Sequence, residues 1–427
     1  MMIAREELTP SCACGREHSL LTEKIFIERG AADAMPDAMG GSGLNADFAV
    51  IYDENTRDAL GGRIRGAHRE IVLDPKGLHA DERGVAAAED KLGDESVLVA
   101  AGSGTVHDIT RYIAAKRGLP FVSVPTAASV DAFSSGMACM TFGGFKKTIP
   151  AVPPRLVFAD TEVFARAPRR LTASGFGDAI GKYVSLADWD VARILTGEYW
   201  CSGVAELEQT ALEETAASAP GIAAGEEGAC EKLMRALVLS GIAMQLAGSS
   251  RPASGAEHHI SHLTETGVPW LPPVDALHGE KVGVGTVLSL RAYFRWRVQQ
   301  SDALVRAMQA WRQPSEDMLR GEFGPAADAV IAENAQDCLR AVTPAAVKER
   351  WTAVKARLSL LPQAAAVEKM LKAVGAPTTL EELGIDPDLE GRILRWAPYV
   401  RNRLTFMRLM GASSAVSDIH CCIGHIE

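Results

Sequence analysis

ESVLVAAGSGTVHDITRYIAAKRGLPFVSVPT, residues 95–126, is the stretch that decides the fold. It opens on a short apolar run, 95–104, that ends in Gly-Ser-Gly. A helical spacer follows at 105–118, and a second apolar run, PFVSVPT, at 120–126. Strand, helix and strand at this spacing form a βαβ unit, which requires a parallel sheet. Similar short runs lie on either side: ADFAVIYD (46–53), REIVLD (69–74) and RLVFAD (155–160), each closed by Asp. Past residue 168 the pattern changes. The segments 171–195, 230–248, 281–296 and 392–410 are rich in Ala and poor in β-branched runs, and each reads as helix. An α/β domain over 1–167 and an all-helical domain over 168–427 are therefore expected, joined at FARAPRRLT (164–172).

The bulk properties agree with two domains. A chain of 427 residues exceeds one ordinary core. Its 47% hydrophobic and 23% charged content is that of a globular protein. A net charge of −10, with no Lys/Arg-rich tract, argues against nucleic acid as a partner. The longest apolar run, ALVLSGIAMQLAG (236–248), is interrupted by Ser240 and Gln245, so no membrane insertion is expected. MMIAREELTP carries charges where a signal peptide needs an apolar stretch, and eight cysteines do not make a disulfide scaffold. A reduced, cytoplasmic setting is expected.

Gly102, Ser103 and Gly104 stand where a strand turns into a helix. Glycines let backbone approach a ligand closely, and the helix start offers N–H groups and a positive dipole end to a phosphate. Gly-rich turns of this kind also arise for geometric reasons alone. SVPTAASVDAFSS (123–135) follows the next strand at the same carboxyl edge, where open α/β sheets bind ligands. Asp53 ends its own strand. It suits either a ribose hydroxyl or the cap of the turn DENT.

In the helical half, three places offer metal ligands: Asp178 in SGFGDAIGKY, the histidines of GAEHHISH (255–262), and His278 in ALHGEKVGVGT. His258 and His262 are four apart and share a helix face, whereas His259 points elsewhere and is read as structural or solvated. Plainer readings stay open here: an Asp178–Lys182 helical pair, a turn at His278, a solvated histidine face. CACGREH (12–18) and HCCIGH (420–425) also carry ligand-type residues. Neither has the paired C-x-x-C of a structural zinc site and both lie near termini, so neither is assigned a metal.

Taken together and in order, CACGREH, GSGTVHDITRY, SVPTAASVDAFSS, GFGDAIGKYVSLADW, SRPASGAEHHISH, ALHGEKVGVGT and YVRNRLTF resemble the glycerol-1-phosphate dehydrogenase family. That family is a branch of the iron-containing alcohol dehydrogenase and glycerol dehydrogenase superfamily, and the bacterial, arabinose-operon-associated branch looks most similar. The resemblance implies a Rossmann-like parallel-sheet domain followed by an all-α domain, the dehydroquinate-synthase-like fold. It implies Asp178, His258 and His278 as ligands of one divalent metal: zinc, nickel or iron. Asp178 also touches substrate, as do Asp131 and His262. Asp53, Gly102, Ser103, Gly104, Thr105, Val106, His107, Asp108, Thr126, Ala127, Ala128, Ser129 and Ser135 are implied to line NAD(H) or NADP(H). Ala128 and Ala132 depart from the family, which more often shows Pro and Gly there.

The implied reaction interconverts dihydroxyacetone phosphate and sn-glycerol 1-phosphate. A metal would polarise the ketone oxygen, and nicotinamide would supply hydride. His262 is the expected proton donor. Arg251 is the expected cationic partner of the phosphate in this small three-carbon substrate. A homodimer is expected. The alternatives are a glycerol or other polyol dehydrogenase, a dehydroquinate-synthase-like lyase, and a non-catalytic nucleotide-binding protein.

Overall fold

The stretch that opens the reading lies at the centre of a seven-stranded sheet. The computed structural model describes residues 2–9, 12–44, 47–143 and 145–411. In chain order the strands are β1 (Met2–Ala4), β2 (Lys24–Glu28), β3 (Phe48–Asp53), β4 (Arg69–Leu73), β5 (Val97–Gly102), β6 (Phe121–Pro125), β7 (Met137–Phe142), β8 (Phe145–Pro150) and β9 (Leu156–Asp160). The five expected strands are β3, β4, β5, β6 and β9. The large sheet runs β1-β2-β9-β6-β5-β3-β4, parallel throughout except for the antiparallel edge strand β1. The antiparallel hairpin β7–β8 is separate and was not anticipated.

Both faces of the sheet are covered. Val97, Val99 and Ala101 of β5 join one buried cluster with Phe48, Val50 and Phe158. Leu98 and Ala100 join the other, with Ile51, Ile71, Ile109 and Phe121. Alternate residues thus go to opposite cores. This is why the central strands read as continuous apolar runs rather than as alternation.

The order of strands creates a ligand edge. From β3 the chain moves out to β4, returns to β5 on the other side of β3, and continues to β6 and β9. The direction of winding therefore reverses between β3 and β5. Ligands of open α/β sheets lie at the carboxyl ends beside such a reversal. The residues there are Asp53 of β3 and Gly102 of β5, and Gly102 is paired with Pro125 of β6.

The chain forms two compact units. Of the described residues, the first takes those up to 179, 201–253 and 373–375; the second takes 180–200, 254–372 and 376–411. A boundary at 168 follows the change from strand to helix. By compactness, however, the helices Ser202–Ala217 and Glu227–Ala247 belong with the sheet. The segment 171–195 is two helices, Arg169–Ile180 and Lys182–Thr196. The segment expected as one helix over 392–410 is broken. A helix ends at Trp396, a 3-10 turn carries Pro398, and a new helix starts at Phe406. Ala397 keeps helical backbone, but Pro398 has no N–H to continue the ladder, so the α-helix gives way there to the 3-10 turn. Among the described residues no helix is long and apolar enough to cross a membrane.

Candidate active site

In the first unit, β5 passes through Gly102 and Ser103 into the helix Gly104–Arg117. A Cβ on Gly102 would meet Val106 at 2.7 Å, so glycine is required for the strand end to pack on the first helical turn. The amides of Gly104, Thr105 and Val106 precede the first helical hydrogen bond at this end, which His107 N donates to Ser103 O at 3.1 Å. Those three amides are the donors this turn presents to an anion.

His107 itself is wholly buried. Its Nδ1 lies 3.0 Å from Ser103 O and its Nε2 lies 2.8 Å from Ser123 Oγ, so the ring braces β5 against β6 from inside. Burial, and next the charge of Arg111, lower its pKa to about 3 from the ordinary 6.5. The unfolded chain therefore binds a proton between those values that the folded chain refuses. This contribution to stability is whole above about pH 6.5 and is lost progressively as pH falls toward 3. Substituting His107→Gln should flatten this acid limb. Urea unfolding of both proteins at a series of pH values checks it, and parallel pH profiles would contradict it.

The loop after β6 is held from two sides. The buried Arg111 donates to Phe133 O at 3.2 Å and Met137 O at 2.8 Å, and also to Ala132 O and Asp108. On the other side the helix Arg169–Ile180 presses in at Gly175, where a Cβ would lie 2.0 Å from Ala128 O. The loop carries Thr126, Ala127, Ala128, Ser129, Asp131 and Ser135, all buried. Asp131 N donates to Asp178 Oδ2 at 3.0 Å, and Ser240 Oγ donates to Asp131 Oδ2 at 3.1 Å. The first unit thus brings Asp131 and Asp178 together. Ser135 Oγ accepts from Met137 N at 3.0 Å. Asp53 caps the helix Glu54–Leu60, accepting from Thr56 N at 2.8 Å. Arg251 is buried in the same unit.

The second unit holds all three candidate histidines. His258 and His262 lie on the helix Ala256–Thr266, and His278 is the first residue of the helix His278–Trp296. Ring centroids are 5.2 Å apart for His258 and His278, and 6.1 Å apart for His262 and either of the others. The two helices come close because Gly285 faces the backbone of Glu257. A Cβ there would be 2.5 Å from Glu257 O. Glu280 accepts from Leu277 N at 2.8 Å and so fixes the helix start that carries His278.

Carboxylates organise the rings. Glu257 Oε1 accepts from Gly255 N and faces His258 Nδ1, each at 2.7 Å, so Nε2 is the nitrogen that could take a metal. Glu265 lies 3.3 Å from His262 Nδ1, 3.5 Å from His278 Nδ1 and 3.0 Å from Lys281 Nζ. Behind them Asp188 accepts from Ala256 N at 2.9 Å and from Tyr293 Oη and Phe406 N at 2.7 Å. Burial, and then the charge of Glu257, push the Asp188 pKa up to about 7 against these donors. His259 is wholly buried, which excludes the solvated reading and keeps the structural one.

A family model described as iron-containing alcohol dehydrogenase matches residues 26–168. A glycerol-1-phosphate dehydrogenase, NAD(P)+, of Bacillus licheniformis is 33% identical over 411 residues, covering 94% of this chain and 92% of that protein. The chain belongs to the glycerol-1-phosphate dehydrogenase family. A member from Geobacillus stearothermophilus is 34% identical over 413 residues, covering 94% of this chain and 95% of its own. The fold is shared with glycerol dehydrogenase from Schizosaccharomyces pombe, whose solved structure matches with a TM-score of 0.60 at 21% identity, covering 96% of this chain and 91% of that one. The chain is an oxidoreductase of this family.

Within the family framework, Glu257, Glu265, Lys281 and Asp188 were not anticipated. Two of them had a local signal. Glu257 precedes His258 inside the quoted GAEHHISH, and Lys281 is one turn after His278. Glu265 is three residues after His262 on the same helix, but reaches His278 and Lys281 only when the two helices pack, and Asp188 gains its meaning only through a fold that places it beneath Gly255.

Proposed function

We propose that the chain reversibly reduces dihydroxyacetone phosphate to sn-glycerol 1-phosphate with NADH or NADPH, using a divalent metal held by Asp178, His258 and His278. The observation that carries this reading is the pair of imidazoles His258 and His278 at 5.2 Å, with Nδ1 of His258 held by Glu257. A carboxylate behind a histidine is the arrangement that orients a metal ligand. Asp178 stands two residues before the chain enters the second unit, its Oδ2 fixed by Asp131 N. Two neutral imidazoles and one carboxylate leave a divalent ion with net positive charge, suited to an oxygen that gains negative charge. This donor set accepts zinc, nickel or ferrous iron alike. When bound, the metal supplies Lewis-acid polarisation of the ketone oxygen and the nicotinamide supplies hydride.

The chain's own residues do the remainder. The amides of Gly104, Thr105 and Val106 receive the cofactor's pyrophosphate, with Gly102, Ser103, Asp108, Thr126, Ala127, Ala128, Ser129 and Ser135 around it, and His107 bracing the turn from behind. Asp53 both caps its helix and accepts from the ribose. His262 holds the proton for the product hydroxyl, and Glu265, shared with Lys281, orients its ring from 3.3 Å at Nδ1. Asp131 orients the substrate and Arg251 pairs with its phosphate. A homodimer in the cytoplasm completes the reading.

The test is a substrate comparison with each reduced cofactor. The phosphorylated ketone should exceed dihydroxyacetone in kcat/KM by about a hundredfold, since charge-assisted contacts contribute roughly 1.5–3 kcal/mol each. The substitution Arg251→Ala should narrow that gap. Turnover of glycerol with none of the phosphorylated ketone would select the polyol dehydrogenase instead.

A further inference from the structure

A second cluster of ligand-type side chains lies within the first unit. Cys12, Cys14 and His18 come from the segment before β2, and Cys201 caps the helix Ser202–Ala217. Their donor atoms all lie within 4.8 Å of one another. His18 Nε2 is 3.0 Å from Cys12 Sγ and 3.4 Å from both Cys14 Sγ and Cys201 Sγ. The two sulfurs of Cys12 and Cys14 are 3.3 Å apart. His18 Nδ1 lies 2.8 Å from Leu246 O. A carbonyl only accepts, so Nδ1 carries the hydrogen and the Nε2 lone pair points into the sulfurs. That is the tautomer a metal ligand needs. Cys201 is wholly buried, and its sulfur accepts from Val204 N at 3.5 Å.

We propose that Cys12, Cys14, His18 and Cys201 bind one zinc ion in a closed structural site. Three thiolates and one imidazole complete a tetrahedron, with no position open for water or substrate. Thiolate donors favour zinc over hard cations such as magnesium or calcium. Binding releases the thiol protons to solvent. The site ties the segment before β2 to the start of the helix Ser202–Ala217. Through Leu246 it also reaches the last turn of the helix Glu227–Ala247. Gln245 makes a parallel tie there, donating to Thr22 Oγ1 at 2.8 Å and accepting from Leu21 N at 3.1 Å. The reading of CACGREH as unassigned is thereby revised. It lacked a fourth ligand, which stands 183 residues from His18. HCCIGH (420–425) lies outside the described residues.

Zinc-edge X-ray absorption tests the proposal on the full-length His258→Ala/His278→Ala protein, in which the proposed catalytic metal site is removed. Retention of about one zinc per chain with sulfur neighbours near 2.3 Å is expected. A further Cys201→Ser change should lower zinc content at least tenfold or remove one sulfur neighbour. Loss of all zinc from the histidine variant while its fold persists, a shell of nitrogen and oxygen only, or a Cys12–Cys14 disulfide found by mass spectrometry in protein kept under reducing conditions would overturn it. If the double variant does not fold, the wild-type spectrum decides, because Asp178, His258 and His278 offer no sulfur.

Discussion

Replacing His258 with alanine should lower kcat/KM for dihydroxyacetone phosphate by about a thousandfold or more. Lewis-acid polarisation contributes several kcal/mol to transition-state stabilisation, and each 1.4 kcal/mol is a factor of ten. The variant should also lose one metal equivalent. The counterpart His262→Asn should keep that metal and lose roughly a hundredfold in kcat, the usual contribution of a positioned general acid. Metal analysis beside steady-state kinetics separates the two roles. A His258→Ala enzyme with full metal content and full turnover would remove His258 from the site, and a His262→Asn enzyme with full turnover would remove the acid.

The second large effect is expected from a residue with no side chain. Gly285 lies where the helix carrying His278 crosses the backbone of Glu257, and a methyl group there would sit 2.5 Å from Glu257 O. Backbone cannot give way as a flexible side chain can. The substitution Gly285→Ala must therefore separate the two helices and shift His278 relative to His258. Overpacking of this kind costs about 1–3 kcal/mol of stability. A displacement near 1 Å at a reacting centre costs about a hundredfold in rate. The expected result is a folded enzyme with kcat/KM reduced about a hundredfold and weakened metal retention. Unfolding midpoints, metal content and kinetics on one preparation check it, and an unchanged rate with an unchanged midpoint would contradict the packing account.

The parallel sheet was legible because its strands are buried on both faces and so appear as uninterrupted apolar runs between helical spacers. Strand β2, KIFIE, was not, since its charged ends dilute the pattern. Nor was the hairpin β7–β8, which pairs outside the large sheet. The segment 230–248 read correctly as helix and Ser202–Ala217 had no reading of its own, but sequence periodicity does not say which core a helix joins. Both pack with the sheet unit. Among site residues, the spacing of His258 and His262 is visible in any helix. The choice between them as ligand came from resemblance, and the geometry adds Glu257 as the residue orienting His258. Cys201 was invisible because it acquires a role only through His18, distant in sequence. Glu265 is an i,i+3 neighbour of His262, but its contact with His278 follows only from helix packing.

The central claim is that Asp178, His258 and His278 hold the metal required for ketone reduction. Anomalous diffraction at the absorption edge of the bound metal, from crystals of the active enzyme with cofactor, tests it most directly. The account predicts a peak bonded to these three side chains, lost together with activity on chelation and restored with it on re-addition of metal. Full activity in protein with no anomalous density at these residues would contradict it.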